Sequence, residues 1–141
     1  MSGPRPGLLG VGVDAVDVHR FGALLQRRPG FAARYFSSTE QADADRSADR
    51  IQSLAARFAA KEAVMKSFGV GLGAFALTDV EVVRAAGEGF TRHAPSLKLH
   101  AGAAALAEQC GAGTLHLSLT HTTDVAIAFV VAERAPACAP S

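Results

Sequence analysis

The 141-residue chain balances 14 Lys and Arg against 13 Asp and Glu, a formal net charge of +1, and 49% of it is hydrophobic with no Trp. That balance, with no long basic run and little aromatic interleaving, argues against a nucleic-acid role, and no apolar run is long enough to span a membrane. Two cysteines, Cys110 and Cys138, are too few for a disulfide framework, so a single domain in a reducing cytoplasm is expected.

Residues 1–7 read as a disordered start, 8–134 as one domain and 135–141 as a frayed Pro/Ala tail. Leu8-Leu9-Gly10-Val11-Gly12-Val13 predicts a short buried strand ending at Asp14. Val16, Phe21, Leu24 and Leu25 then give helical spacing up to Pro29-Gly30. Phe31, Tyr35 and Phe36 suit a second short helix, and Ser38, Thr39 and Glu40 open a polar helical stretch. The longest helix is expected from about residue 48 to 68, closed by Gly69-Val70-Gly71-Leu72-Gly73. Val80 to Val83 reads as a strand, Gly87-Glu88-Gly89 as a turn and Ser96 to Leu99 as a weak strand. Ala101 to Gln109 forms a helix stopped by Gly111. Thr114 to Thr120 alternates, with Leu115, Leu117 and Leu119 on one face and His116, Ser118 and Thr120 on the other. A polar turn at 122–124 leads to Val125–Val131, its hairpin partner. The sum is an α+β fold, a mostly antiparallel sheet packed with one long and several shorter helices.

Within the long helix, Arg57-Phe58-Ala59-Ala60-Lys61-Glu62-Ala63-Val64-Met65-Lys66 holds two of the three lysines in the chain. Arg57 with Lys61, and Glu62 with Lys66, are i,i+4 neighbours on either side of a stripe made by Leu54, Phe58 and Met65. Charges interleaved with core-type residues indicate a half-sunk helix whose ionic groups need specific partners. Two ion pairs satisfy that, and so does a ligand site.

Asp14 follows glycines in a pattern that lacks the third glycine of a dinucleotide fingerprint. It either caps the next helix or faces a pocket. Glu62 is the second candidate carboxylate. Two carboxylates with few other oxygen ligands suit a Mg²⁺ that keeps waters and takes phosphate oxygens from its substrate. Arg57, Lys61 and Lys66 would neutralise those phosphates, and the backbone at Gly69 and Gly71 could approach the same anion. His121 either sits at the rim of the core or ends its strand facing a ligand together with Ser118 and Thr120. Between His19 and Thr39 the chain has Arg20, Arg27, Arg28 and Arg34 and no acidic residue. A basic first helix that also exposes Phe21 or Leu25 can be a solvated face or a surface for an acidic helical partner.

Taken in order, Gly10-Val11-Gly12-Val13-Asp14, then Arg57-Phe58-Ala59-Ala60-Lys61-Glu62-Ala63 with Lys66 and Gly69-Val70-Gly71, then Ser118-Leu119-Thr120-His121, resemble the 4′-phosphopantetheinyl transferases. The length and spacing are similar to the short single-domain holo-[acyl-carrier-protein] synthase type, over residues 8 to about 134. The resemblance implies a cytoplasmic Mg²⁺-dependent enzyme, with fatty-acid biosynthesis as the default and a specialised carrier of polyketide or peptide biosynthesis as the alternative. It would move the phosphopantetheine arm of coenzyme A onto a serine of an acidic acyl carrier protein and release 3′,5′-ADP.

By the same resemblance, Asp14 and Glu62 match metal-binding carboxylates, and Lys66 the lysine at the coenzyme A pyrophosphate. Arg57 and His121 match residues near the 3′-phosphate and nucleotide. Outside that match, Gly69, Gly71 and Thr120 are expected beside the cofactor from the residues themselves, and Lys61 either lines the cofactor site or only balances charge. Arg20 matches a carrier-protein contact, with Phe21 and Arg27 on the same helix. Asp14, Glu62 and Lys66 would be catalytic, Glu62 being the group to take the serine proton directly or through a water. A homotrimer with sites between neighbouring copies is implied. The stretch 89–95 departs from the family's compact turn, and Ala15-Val16-Asp17-Val18-His19 departs from its usual run after the aspartate. A noncatalytic coenzyme A or nucleotide binding module, and a structural trimer subunit without a ligand, are the competing expectations.

Overall fold

The two ends of the chain meet in one antiparallel sheet. The computed structural model describes residues 7–84 and 94–136. The expectations for 1–6, for the 87–89 turn, for most of the 89–95 loop and for 137–141 with Cys138 lie outside the described residues. Strand β1 (Leu8–Asp17) leads into helices α1 (Val18–Arg27), α2 (Phe31–Tyr35), α3 (Ser38–Asp45) and α4 (Arg50–Ser67). A 3-10 turn, Leu77–Asp79, precedes β2 (Val80–Val83), β3 (Ser96–Leu99), α5 (Ala101–Cys110), β4 (Ala112–His121) and β5 (Val125–Arg134). The larger sheet has the order β1-β5-β4, and β2-β3 form a separate antiparallel pair.

Register sorts the larger sheet into two unlike faces. Gly12, Asp14 and Val16 pair with Val130, Ala128 and Ala126 of β5, all fully buried, and Leu115, Leu117 and Leu119 join them from β4. This inner face is covered by α4, whose Leu54, Ala59, Ala60, Ala63, Val64 and Met65 are buried. Alanines at helical spacing let the helix lie close to the sheet, where each buried methyl or larger group adds roughly 25 cal/mol per Å² of apolar surface removed from water. The opposite face carries Val11 and Val13, each 53% exposed, and Phe129, 44% exposed.

Gly10 and Gly12 make the contact between β1 and α4 closer than side chains would allow. A Cβ on Gly12 would stand 2.9 Å from the Ala63 carbonyl carbon and closer still to its oxygen. One on Gly10 would stand 3.2 Å from the Ser67 carbonyl carbon, again with the oxygen nearer. The paired glycines therefore serve close strand–helix packing.

Local signals set the helix ends. The first strand runs past Asp14, and Asp17 is the N-cap of α1, accepting from the Arg20 amide at 2.8 Å. The capping alternative for Asp14 is thereby removed: alternation turns its side chain to the inner face, towards α4, three residues before the cap. Asp49 caps α4 at Arg50, so the longest helix starts two residues later than its composition predicts. Ser37 and Glu40 form a capping box on α3. At the other end of α4 the chain reverses through Gly69 (φ +71°), whose amide reaches the Lys66 carbonyl while Val70 reaches Met65, both at 3.0 Å. That pattern satisfies the last turn of the helix and needs a residue without a Cβ penalty at the left-handed position.

Candidate active site

Inner-face alternation on β1 and the 100° step of α4 bring Asp14, Glu62 and Lys66 together. The Lys66 ammonium donates to the Val13 carbonyl at 3.0 Å and to Asp14 Oδ1 at 3.1 Å. The Glu62–Lys66 pair allowed by sequence is thus replaced by one across the seam. The Asp14 side chain is 19% exposed and that of Lys66 54%, so the pair sits at the edge of solvent. Glu62 has its pKa raised, first by burial and then by the Asp14 carboxylate, with Lys66 opposing. Two neighbouring carboxylates at the edge of solvent favour a cation between them.

Asp14 and Glu62 line a cavity of about 430 Å³ with Asp17, Arg20, Phe21, Leu24, Arg27 and Phe58. Its rim carries guanidinium groups of α1 and its floor is aromatic. A second cavity, about 440 Å³, is lined by Leu9, Gly10, Val11, Lys66, Ser67, Phe68, Gly69 and Cys110. The Asp14–Lys66 pair stands between the two.

Several expected site residues lie elsewhere. Phe21 is only 4% exposed, with its ring 5.5 Å from that of Phe58 and packed edge-on to Phe31 and Phe36. It therefore forms the floor of the first cavity and does not present an exposed apolar contact; Leu25 is half-buried. Lys61 is fully buried and cannot face a cofactor. Its ammonium donates to Glu40 Oε1 at 2.8 Å, to the Leu77 carbonyl at 3.0 Å and to the Val80 carbonyl, which uses all three of its protons. Glu40, equally buried, also accepts from the Ser37 and Val82 amides. Burial lowers the Lys61 pKa and Glu40 opposes that shift.

Arg57 lies near the Lys61 side of α4, away from Lys66. It donates to the Ser53 carbonyl at 3.3 Å and to the Ser53 hydroxyl, and stands 3.9 Å from Asp43, which Arg46 also holds. Its Nε is buried with no partner. Gly71 sits on the exposed turn beyond Gly69.

Thr120 is exposed on the outer face of β4 opposite Ile127, and His121 is exposed at the strand end opposite Ala126. The turn after it is held by contacts that no sequence pattern signalled. Gln52 donates to the Thr122 carbonyl at 2.9 Å, Val18 to the Asp124 carbonyl at 2.9 Å, and His19 Nε2 lies 2.8 Å from Asp124 Oδ1. The role of Glu40 as partner of Lys61 likewise depends on which element folds over it.

Among the described residues no group of three or more His, Cys, Asp or Glu side chains could hold a metal ion. Asp14 and Glu62 alone fit a hard cation that takes its remaining oxygens from water and substrate.

The model of the 4′-phosphopantetheinyl transferase superfamily matches residues 10–130, and the chain belongs to that family. Among its relatives, the holo-[acyl-carrier-protein] synthase of Frankia casuarinae is 48% identical over 126 residues, covering 89% of this chain and 98% of that one. The crystal structure of the Neisseria meningitidis holo-[acyl-carrier-protein] synthase superposes with a TM-score of 0.77 at 29% identity, over 90% of this chain and 99% of that one. The Helicobacter pylori holo-[acyl-carrier-protein] synthase in complex with coenzyme A gives 0.70 at 27% identity, over 86% and 98%. The α+β expectation and the family resemblance are both met.

Proposed function

We propose that this chain transfers the 4′-phosphopantetheine arm of coenzyme A to a serine of an apo acyl carrier protein, with Mg²⁺, releasing 3′,5′-ADP. The observation that carries this reading is the first cavity, which puts Asp14 and Glu62 within reach of the same space as Arg20 and Arg27. Carboxylates for a metal and guanidiniums for an acidic partner thus border one opening. Relatives named for this activity support the transfer.

Asp14 and Glu62 would hold the ion, whose charge stabilises the negative charge that builds on the pyrophosphate oxygens. Lys66 turns its third N–H, unused by Val13 and Asp14, to the same oxygens. Glu62 is the group to take the serine proton, directly or through a water. The serine Oγ–phosphorus bond forms as the bond from the β-phosphorus to the bridging oxygen breaks, and that electron pair leaves on 3′,5′-ADP. Arg20 and Arg27 draw in the acidic carrier. By family resemblance Arg57 is expected at the 3′-phosphate, but its guanidinium is buried against Ser53 and Asp43 in this copy, so no step is assigned to it.

Thr120 and Asp14 occupy opposite faces of one sheet, so one copy does not present both to a single ligand. The exposed Val11, Val13 and Phe129 support a homotrimer in which a neighbouring copy brings Thr120 and His121 to the coenzyme A site. The reading places the enzyme in the cytoplasm, serving fatty-acid biosynthesis. No helix among the described residues is long and apolar enough to cross a membrane.

The test is incubation with apo acyl carrier protein, coenzyme A and Mg²⁺, followed by mass spectrometry of the carrier. A gain of one phosphopantetheine is expected. Metal-dependent coenzyme A binding without any gain across several carriers would replace this reading with a noncatalytic binding module.

A further inference from the structure

The two carboxylates of the site ride on different elements, Asp14 on β1 and Glu62 on α4, so their separation is the separation of strand from helix. That distance is fixed by backbone contact and not by side chains. Gly12 lies on the inner face two residues before Asp14, and a Cβ there would stand 2.9 Å from both the Ala63 carbonyl carbon and the Ser67 amide nitrogen. Ala63 follows Glu62 directly, so the contact falls beside both metal-binding candidates at once. The Lys66 hydrogen bonds to Val13 and Asp14 fasten the same seam.

Resting on the metal reading above, we propose that Gly12 is a positioning residue for the metal site, its missing side chain setting the span between Asp14 and Glu62 to suit a small divalent cation. An added methyl carbon needs about 3.5 Å from its neighbours, so strand and helix must part by something on the order of 1 Å. That exceeds the difference of about 0.3–0.5 Å between Mg²⁺–oxygen and Ca²⁺–oxygen bonds. A seam held at its minimum width thus favours the smaller ion, and a widened seam loses both affinity and discrimination. Gly22 offers a matched control. It is also a glycine packed towards α4, but a Cβ there meets only flexible side-chain carbons of Ile51 at 3.3 Å, which can give way.

The probe is Mn²⁺, followed by its EPR signal with coenzyme A present and no carrier protein, with Mg²⁺ and Ca²⁺ as competitors. Wild-type protein should bind Mn²⁺ and lose it to Mg²⁺ at lower concentrations than to Ca²⁺. Gly12→Ala should bind Mn²⁺ about 10–100-fold more weakly, the range seen when support of a metal site is lost, and the preference for Mg²⁺ over Ca²⁺ should shrink. Gly22→Ala should keep both properties. Wild-type affinity in folded Gly12→Ala overturns the proposal, as does an equal loss in Gly22→Ala. If Gly12→Ala does not fold, Gly10→Ala carries the test, because its methyl meets Ser67 on the same seam; unchanged Mn²⁺ binding there overturns it too. Ca²⁺ competing as well as Mg²⁺ in the wild type overturns it without any variant. Wild-type protein that does not diminish the free-Mn²⁺ signal beyond what coenzyme A alone does removes the metal reading itself, an outcome distinct from a failure of the glycine.

Discussion

The two flanks of α4 treat their charged residues in opposite ways. On the flank facing α3 and β2, Lys61 and Glu40 are fully buried and every proton and most acceptor sites are taken. On the flank facing β1, Lys66 and Glu62 stay partly exposed, Lys66 keeps a free donor and Glu62 keeps an unfavourable neighbour in Asp14. A satisfied buried network holds elements in place and has nothing left to offer a ligand. Incomplete satisfaction beside a cavity is what leaves ionic groups available for chemistry.

The sharpest way to break this contrast is Lys61→Met. It leaves Glu40 buried and unpaired, and should cost about 3–5 kcal/mol of stability. Chemical denaturation should show this loss, and Lys61→Met with Glu40→Leu should recover much of it. Full stability in the single variant would mean that this flank is not the structural one. On the other flank, Asp14→Ala and Glu62→Ala should leave the fold intact and each lower kcat by roughly 10²–10³, measured by carrier loading at saturating coenzyme A. Near-normal turnover in either would remove the metal assignment.

Arg20→Glu probes the rim of the same cavity. It should raise the KM for an acidic carrier about tenfold, with the KM for coenzyme A unchanged. An unchanged carrier KM would reduce the basic first helix to a solvated face.

The smallest effect concerns Glu62 itself. Its pKa is raised in the folded protein, so the protonated form is the favoured one. The stability this confers is present below the ordinary glutamate pKa of 4.5 and is lost as pH rises through the folded value. At neutral pH Glu62→Gln removes the cost of burying the charge and the repulsion from Asp14, and since the group is only partly buried the gain is modest, about 1–2 °C in Tm by calorimetry. The same variant should be inactive. A lower Tm at neutral pH, or no difference between neutral pH and pH 4, would contradict the coupling to Asp14.

Sequence carried the periodic elements well. The alternation of Leu115, Leu117 and Leu119 gave β4 and its inner face, and the glycine-rich stretch at 69–73 gave the end of α4, because both follow from local geometry. Residue order along α4 also separated the Arg57–Lys61 flank from the Glu62–Lys66 flank before any fold was known. What the local pattern could not give was the partner of each charge. Lys61 looks like a cofactor ligand in the linear chain and becomes a core residue because α3, 21 residues earlier, brings Glu40 to it. Phe21 looks exposed on a basic helix and is covered because α2 folds Phe31 over it.

The chain by itself thus determined the elements, the family and the chemical inventory of the site. Only the tertiary structure decided that Asp14 faces α4 and not a helix amide, and that Thr120 lies on the other side of the sheet. The physical reason is range: propensity and periodicity act over a turn of helix or a few strand residues. The pairing of ionic groups is fixed instead by long-range packing, here by two glycines that let a strand touch a helix backbone.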